Sequence, residues 1–169
     1  MLNPDSGGDF HKFWEYIPWA AENDAAILLK GHLLLEELLR SYCASQFPNA
    51  VHIERARLTF SQVDELTQAL DSGSPEKWLW PAVAKINAMR NALAHRMDAT
   101  RLEHARAQLL NLVSPHTPLA FETMTTRLQK TAVAVYLTYA SVAKHLHHMP
   151  SALELKVDAM FTGLWEPEH

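Results

Sequence analysis

The sequence predicts an all-α fold, a bundle of about five main helices. Only 5 glycines occur in 169 residues, while Leu and Ala are abundant, a balance that favours helices over a sheet-rich fold with many tight turns. Apolar residues recur at helical spacing through several segments, and no alternating apolar–polar run is long enough to argue for a strand. There is no internal repeat. Apolar residues make up 48% of the chain and charged residues 20%, which suits one globular domain with a sizeable core.

The expected organisation is an N-terminal arm over residues 1–18 packed on the body, a bundle over 19–149, and a tail over 150–169 that holds a short helix. In the arm, Pro4, Gly7, Gly8 and Pro18 break regular structure around Phe10, Phe13, Trp14 and Tyr16, whose aromatic rings suit packing onto the bundle. Residues 20–46 form the strongest helix, with Ile27, Leu28, Leu34, Leu35, Leu38, Leu39 and Tyr42 on one wide apolar side. Gly31 in its middle costs roughly 1 kcal/mol relative to Ala, so a close helix crossing is expected there. Pro48 and Asn49 end the segment.

A shorter helix is predicted over 59–71, with Ser61 as N-cap and Val63, Leu66 and Leu70 inward. The stretch DSGSP at 71–75 reads as a turn, with Ser74 and Pro75 opening a new start that Pro81 interrupts. The third helix then runs from about Pro81 to Arg96. Asp98 caps a fourth over 99–113, SPHTP at 114–118 is a turn, and a long helix spans about Glu122 to His148 until Pro150 stops it. Leu128, Val135, Val142 and Leu146 mark its inner side, and a tail helix is expected around Ala152 to Phe161.

Charge and cysteine usage narrow the function. The formal net charge is −4, whereas a protein that holds nucleic acid by overall charge is normally basic. Any RNA contact must be local. Around the third and fourth helices Lys85, Arg90, Arg96, Arg101 and Arg106 oppose Asp98 and Glu103, a balance of 5 − 2 = +3 over 22 residues. That patch fits an RNA track with Lys85, Arg96 and Arg101 on phosphates; ordinary ion-paired helix surface is the simpler alternative for any one residue. Cys43 stands alone, which excludes an internal disulfide and suggests a buried thiol in a reducing compartment. No metal or cofactor is expected. His145, His147 and His148 have no acid or thiol to complete a tetrahedral set and end a helix, where cationic side chains are favoured. No secretion signal and no membrane-spanning stretch is read, so the cytoplasm is the expected compartment. Trp14, Trp19, Trp78, Trp80 and Trp165 suit packing more than stacking on bases.

The hexamer RNALAH, residues 90–95, concentrates three polar side chains in an alanine-rich helix. On a straight helix Arg90 and His95 lie about 140° apart. Asn91 and His95, four residues apart, share a face on which the amide can orient the imidazole. Arg90 and His95 therefore meet one phosphate only if the helix bends or a second copy contributes, as in a two-fold dimer with these helices facing. Glu36 or Glu37 could fix Arg90 across the bundle, though a solvated helix face is the simpler reading of both. The residue types suit RNA cleavage. Histidine can take a proton from the 2′-hydroxyl or give one to the leaving 5′-oxygen near neutral pH. Arginine keeps its charge and offers forked donors to phosphate oxygens.

RNALAH resembles the motif of the HEPN superfamily, in which Arg is followed by four to six residues and then His, the residue after Arg is often Asn, and the His lies near the junction of the third and fourth helices. The resemblance covers roughly residues 20–113. It implies a compact helical bundle that forms a homodimer with the two motifs at the interface. Many members are metal-independent endoribonucleases used as toxins or in antiviral defence, some neutralised by an antitoxin protein; others are non-catalytic binding modules. By this likeness Arg90 and His95 are catalytic and Asn91 positions them, with no cofactor. One branch, paired with a nucleotidyltransferase antitoxin, carries Tyr two residues after the His; Met97 stands there, so that partner is not implied. The expected function is a HEPN-type endoribonuclease acting across a homodimer, and the alternative is a non-catalytic HEPN-like module working through the same cleft.

Overall fold

The computed structural model describes residues 24–94 and 99–146, and these are all-helical apart from turns and connecting loops. In chain order the α-helices are α1 (Asp24–Ser45), α2 (Ala50–Arg55), α3 (Phe60–Leu70), α4 (Leu79–Ala94), α5 (Ala99–Val113), α6 (Pro118–Thr123) and α7 (Arg127–His145), with a 3-10 turn at Ser114–His116 between α5 and α6. The first arm (1–18), residues 95–98 and the tail helix expected around 152–161 lie outside the described residues.

The long apolar stripe of α1 makes it the hub: it packs on α2, α3, α4 and α7, while α4 lies along α5 and both touch α7. Ile27, Leu28, Leu35 and Leu39 of α1 are essentially fully buried, as are Val63 of α3, Val83, Ile86 and Met89 of α4, Leu109 of α5, and Val135 and Val142 of α7. Each such side chain contributes roughly 1.5–3 kcal/mol through removal from water. Gly31 has the reason its position suggested. A Cβ there would collide with the Val135 side chain, so α1 and α7 cross too closely for any larger residue.

Local chemistry sets several boundaries differently from the sequence reading. The N-cap of α3 is Thr59, not Ser61. Thr59 Oγ1 accepts from the Gln62 N–H, and the Gln62 side chain accepts from the Thr59 N–H at 2.9 Å, a reciprocal capping box. Ser61 is inside the helix. No helix starts at Ser74–Pro75; the chain stays irregular until α4 opens at Leu79. Pro81 is the third residue of α4 and does not interrupt it, because a first-turn N–H has no intrahelical partner to lose. The long helix expected from Glu122 to His148 is two: α6 ends at Thr123, and Thr126 starts α7 with a second capping box to Gln129. Six-residue α2 follows Asn49, where the sequence reading placed only a stop.

Two polar links tie distant segments. His145, at the end of α7, meets Asp71 Oδ2 at 2.5 Å, while Asp71 Oδ1 accepts from the Gly73 N–H at 2.9 Å. A Cβ on Gly73 would sit 2.8 Å from the His145 ring, so glycine lets this corner close. Trp78 is buried, stacks on His116 at 4.7 Å and donates to Glu76 at 2.6 Å; Trp80 meets the His145 ring edge-on. Both pack, as expected; Trp14, Trp19 and Trp165 fall outside the described residues. Cys43 is fully buried against Thr67 Oγ1 at 3.2 Å, and burial pushes its thiol up, away from reactivity.

Candidate functional site

Helix α4 carries polar groups on two sides, and the core residues Ile86 and Met89 hold it in register between them. Arg90 is half-buried near its C-terminal end. Its Nη1 donates to Asn91 Oδ1 at 3.1 Å. The long guanidinium arm thus turns toward its neighbour Asn91. His95 and Arg96 themselves lie outside the described residues.

Asn91 opens onto a groove of about 480 Å³ between α4 and α5. Lys85 and Asn91 line it from α4, and Arg101, His104 and Gln108 from α5. The walls between them are alanines, Ala88, Ala92 and Ala105, whose small side chains leave the space open. The structure therefore brings together Asn91 and two of the residues expected to contact RNA, Lys85 and Arg101. It adds two that the sequence reading missed: Gln108 Nε2 and His104 Nε2 are 2.9 Å apart. Among the described residues, the groove lining carries no carboxylate. Arg106 turns away, buried with Nη1 donating to Glu103 at 2.7 Å.

The other side of α4 meets α1. His32 is 3% exposed and its Nε2 donates to Asn87 Oδ1 at 3.3 Å, while Asn87 Nδ2 donates to Ser61 at 3.3 Å. The imidazole lies on the Phe60 ring, 4.4 Å between centroids. Burial lowers the His32 pKa below its ordinary value, opposed by the Asn87 bond and the Glu36 charge and assisted by the Arg90 charge. A neutral ring is thus wedged beside the arginine of the hexamer. Glu36 does not serve Arg90: its Oε1 accepts two bonds from Arg40, at 2.9 and 2.6 Å. Glu37 is exposed and lines a separate cavity of about 670 Å³ with Glu36, Arg40 and Glu54.

Neither His32 nor Asn87 was legible as a partner, since they are 55 residues apart. His104 carried one usable signal, its four-residue spacing from Gln108. Among the described residues, no group of three or more His, Cys, Asp or Glu side chains is placed to hold a metal ion, and no helix is long and apolar enough to cross a membrane. No family model matches the chain, and neither a curated protein nor a solved structure shows significant similarity to it.

Proposed function

We propose that this protein is a HEPN-type, metal-independent endoribonuclease whose active site is shared across a homodimer. The observation that supports it best is the Arg90–Asn91 hydrogen bond, whose Asn91 lines a groove with Lys85 and Arg101 and, among the described residues, no carboxylate. Phosphate needs cations and hydrogen-bond donors without competing anions, and this groove offers them in a chain of net charge −4.

In the proposed reaction His95 takes the proton from a ribose 2′-hydroxyl, and the freed oxygen attacks the adjacent phosphorus. Arg90 stabilises the charge on the phosphorane oxygens. The imidazolium so formed gives that proton to the departing 5′-oxygen. The P–O5′ bond breaks to leave a 2′,3′-cyclic phosphate and a 5′-hydroxyl. Asn91 positions Arg90, and Lys85, Arg96 and Arg101 hold flanking phosphates. A toxin of this kind works in the cytoplasm, and a protein that neutralised it would cover the same basic face with acidic residues.

The test is cleavage of RNA in EDTA by the purified chain and by His95→Ala. We expect cyclic-phosphate ends, with the variant slower by at least about 100-fold. Full-rate cleavage by His95→Ala removes His95 from the mechanism. Tight binding of RNA without any cleavage by the unaltered protein assigns the chain to the non-catalytic modules instead.

A further inference from the structure

We infer that the α4–α5 groove is a nucleotide subsite for single-stranded RNA in which the His104 imidazole, held by Gln108, contacts a phosphate beside the one that is cleaved. The inference rests on the proposed RNA chemistry only for which nucleic acid it names; Lys85, Arg101, His104 and Gln108, which carry it, lie outside the hexamer.

Three features of the groove converge. The first is charge. Lys85 and Arg101 stand on opposite walls and, among the described residues, no carboxylate lines the groove, whereas the larger cavity over α1 and α2 holds Glu36, Glu37 and Glu54 beside Arg40. A phosphodiester is attracted to the first and repelled by the second. The second is shape. A volume near 480 Å³ falls within the roughly 300–1,000 Å³ of ligand pockets, room for one nucleoside with its phosphate but not for a duplex. Its alanine walls present the apolar surface against which a base or ribose can lie. The third is the orientation of His104. With Nε2 tied to the Gln108 amide at 2.9 Å, Nδ1 is the ring atom left to meet a ligand. When the amide donates to Nε2, the ring proton sits on Nδ1 and becomes a donor to a phosphate oxygen. Asn91 of the hexamer is among the lining residues, so a strand bound there reaches the hexamer.

The experiment measures binding of the full chain, in EDTA, to a short fluorescent 2′-O-methyl oligoribonucleotide, which lacks the attacking hydroxyl and so cannot be cut by this route. Fluorescence anisotropy reads the affinity of the unaltered protein and of three variants. His104→Ala is expected to weaken binding by about tenfold or more, the loss of one charge-assisted contact. Ala88→Leu, at an exposed helix position that leucine suits, fills the groove and is expected to weaken it by more than about tenfold. Arg55→Gln, on the exposed side of α2, removes the same charge as a groove cation would and is expected to leave binding within about twofold. The duplex of the same sequence is expected to bind at least about tenfold more weakly than the single strand. Binding that is indifferent to both His104→Ala and Ala88→Leu overturns the subsite, and so does equal affinity for the duplex. Cleavage of ordinary RNA is scored in parallel. If Ala88→Leu abolishes oligonucleotide binding while the unaltered protein cuts no RNA, the groove stands and the nuclease reading falls. If RNA is cut and Ala88→Leu binds and cuts normally, the nuclease stands and the groove falls.

Discussion

His32 shows how one residue can couple the core to the candidate site. It is buried on α1, hydrogen-bonded to Asn87 and close enough to Arg90 for their charges to interact. Because burial lowers its folded-state pKa below the ordinary value near 6.5, the unfolded chain binds a proton more readily than the folded one between those two values. Folding stability is therefore fully present above about pH 6.5 and declines as the pH falls from there to the lowered folded pKa, with a slope of at most about 1.4 kcal/mol per pH unit for one group. Urea unfolding of the native chain at pH 7.5 and pH 5.5, compared with His32→Gln, isolates this contribution from the other histidines. We expect a smaller loss of stability on acidification in the variant; an equal loss in both shows that His32 is not the group that takes up the proton. The hexamer itself was legible because its three polar side chains fall within six residues of an alanine-rich run. The Arg90–Asn91 bond joins neighbours. By contrast, the His32–Asn87–Ser61 chain and the meeting of Lys85 with Arg101 depend on how α1, α3, α4 and α5 pack, and single-sequence periodicity carries no information on which helix lies beside which.

At the scale of elements, burial patterns were read more reliably than ends. The inward residues expected in α1 between Ile27 and Tyr42 are buried, Leu34 only partly, because a wide 3.6-residue stripe leaves a helix no other low-energy orientation. The ends depend on single hydrogen bonds. Thr59 rather than Ser61 caps α3 because Gln62 stands three residues after it and completes the reciprocal pair; the same pairing of Thr126 with Gln129 starts α7 afresh and divides what periodicity alone reads as one helix. The α1–α7 crossing offers a direct test of packing. Gly31→Ala improves helix propensity by roughly 1 kcal/mol, but its Cβ would overlap the Val135 side chain, and overpacking of this kind costs typically about 1–3 kcal/mol. We expect a net loss of stability in denaturant titration, and recovery of most of it when Val135→Ala is added. Stabilisation by Gly31→Ala alone means that the two helices separate at little cost and that their close approach is not required by the fold.

For the whole molecule the question is how many chains build one site. On a straight helix Arg90 and His95 diverge by about 140°, and in α4 the guanidinium is already turned toward Asn91 by a bond within its own chain. That bond uses one of the five N–H donors of the guanidinium, and a half-buried arginine held in this way suits a phosphate delivered to the surface of α4 from outside. A two-fold dimer with α4 facing its counterpart would let the Arg90 of one chain serve the same phosphate as the histidine of the other. Subunit mixing decides between a shared site and a self-contained one. Arg90→Ala and His95→Ala should each be inactive alone. After subunit exchange in equal proportion, about half of the dimers are mixed, and each mixed dimer rebuilds one of its two sites from the intact arginine of one chain and the intact histidine of the other. We expect about a quarter of the unaltered cleavage rate to return. If exchange is complete, as judged by co-purification of two differently tagged chains, and no cleavage returns, then each chain supplies both groups to its own site. The bend in α4 that such a site requires would then have to fall between Arg90 and His95, because the 140° divergence cannot otherwise be closed.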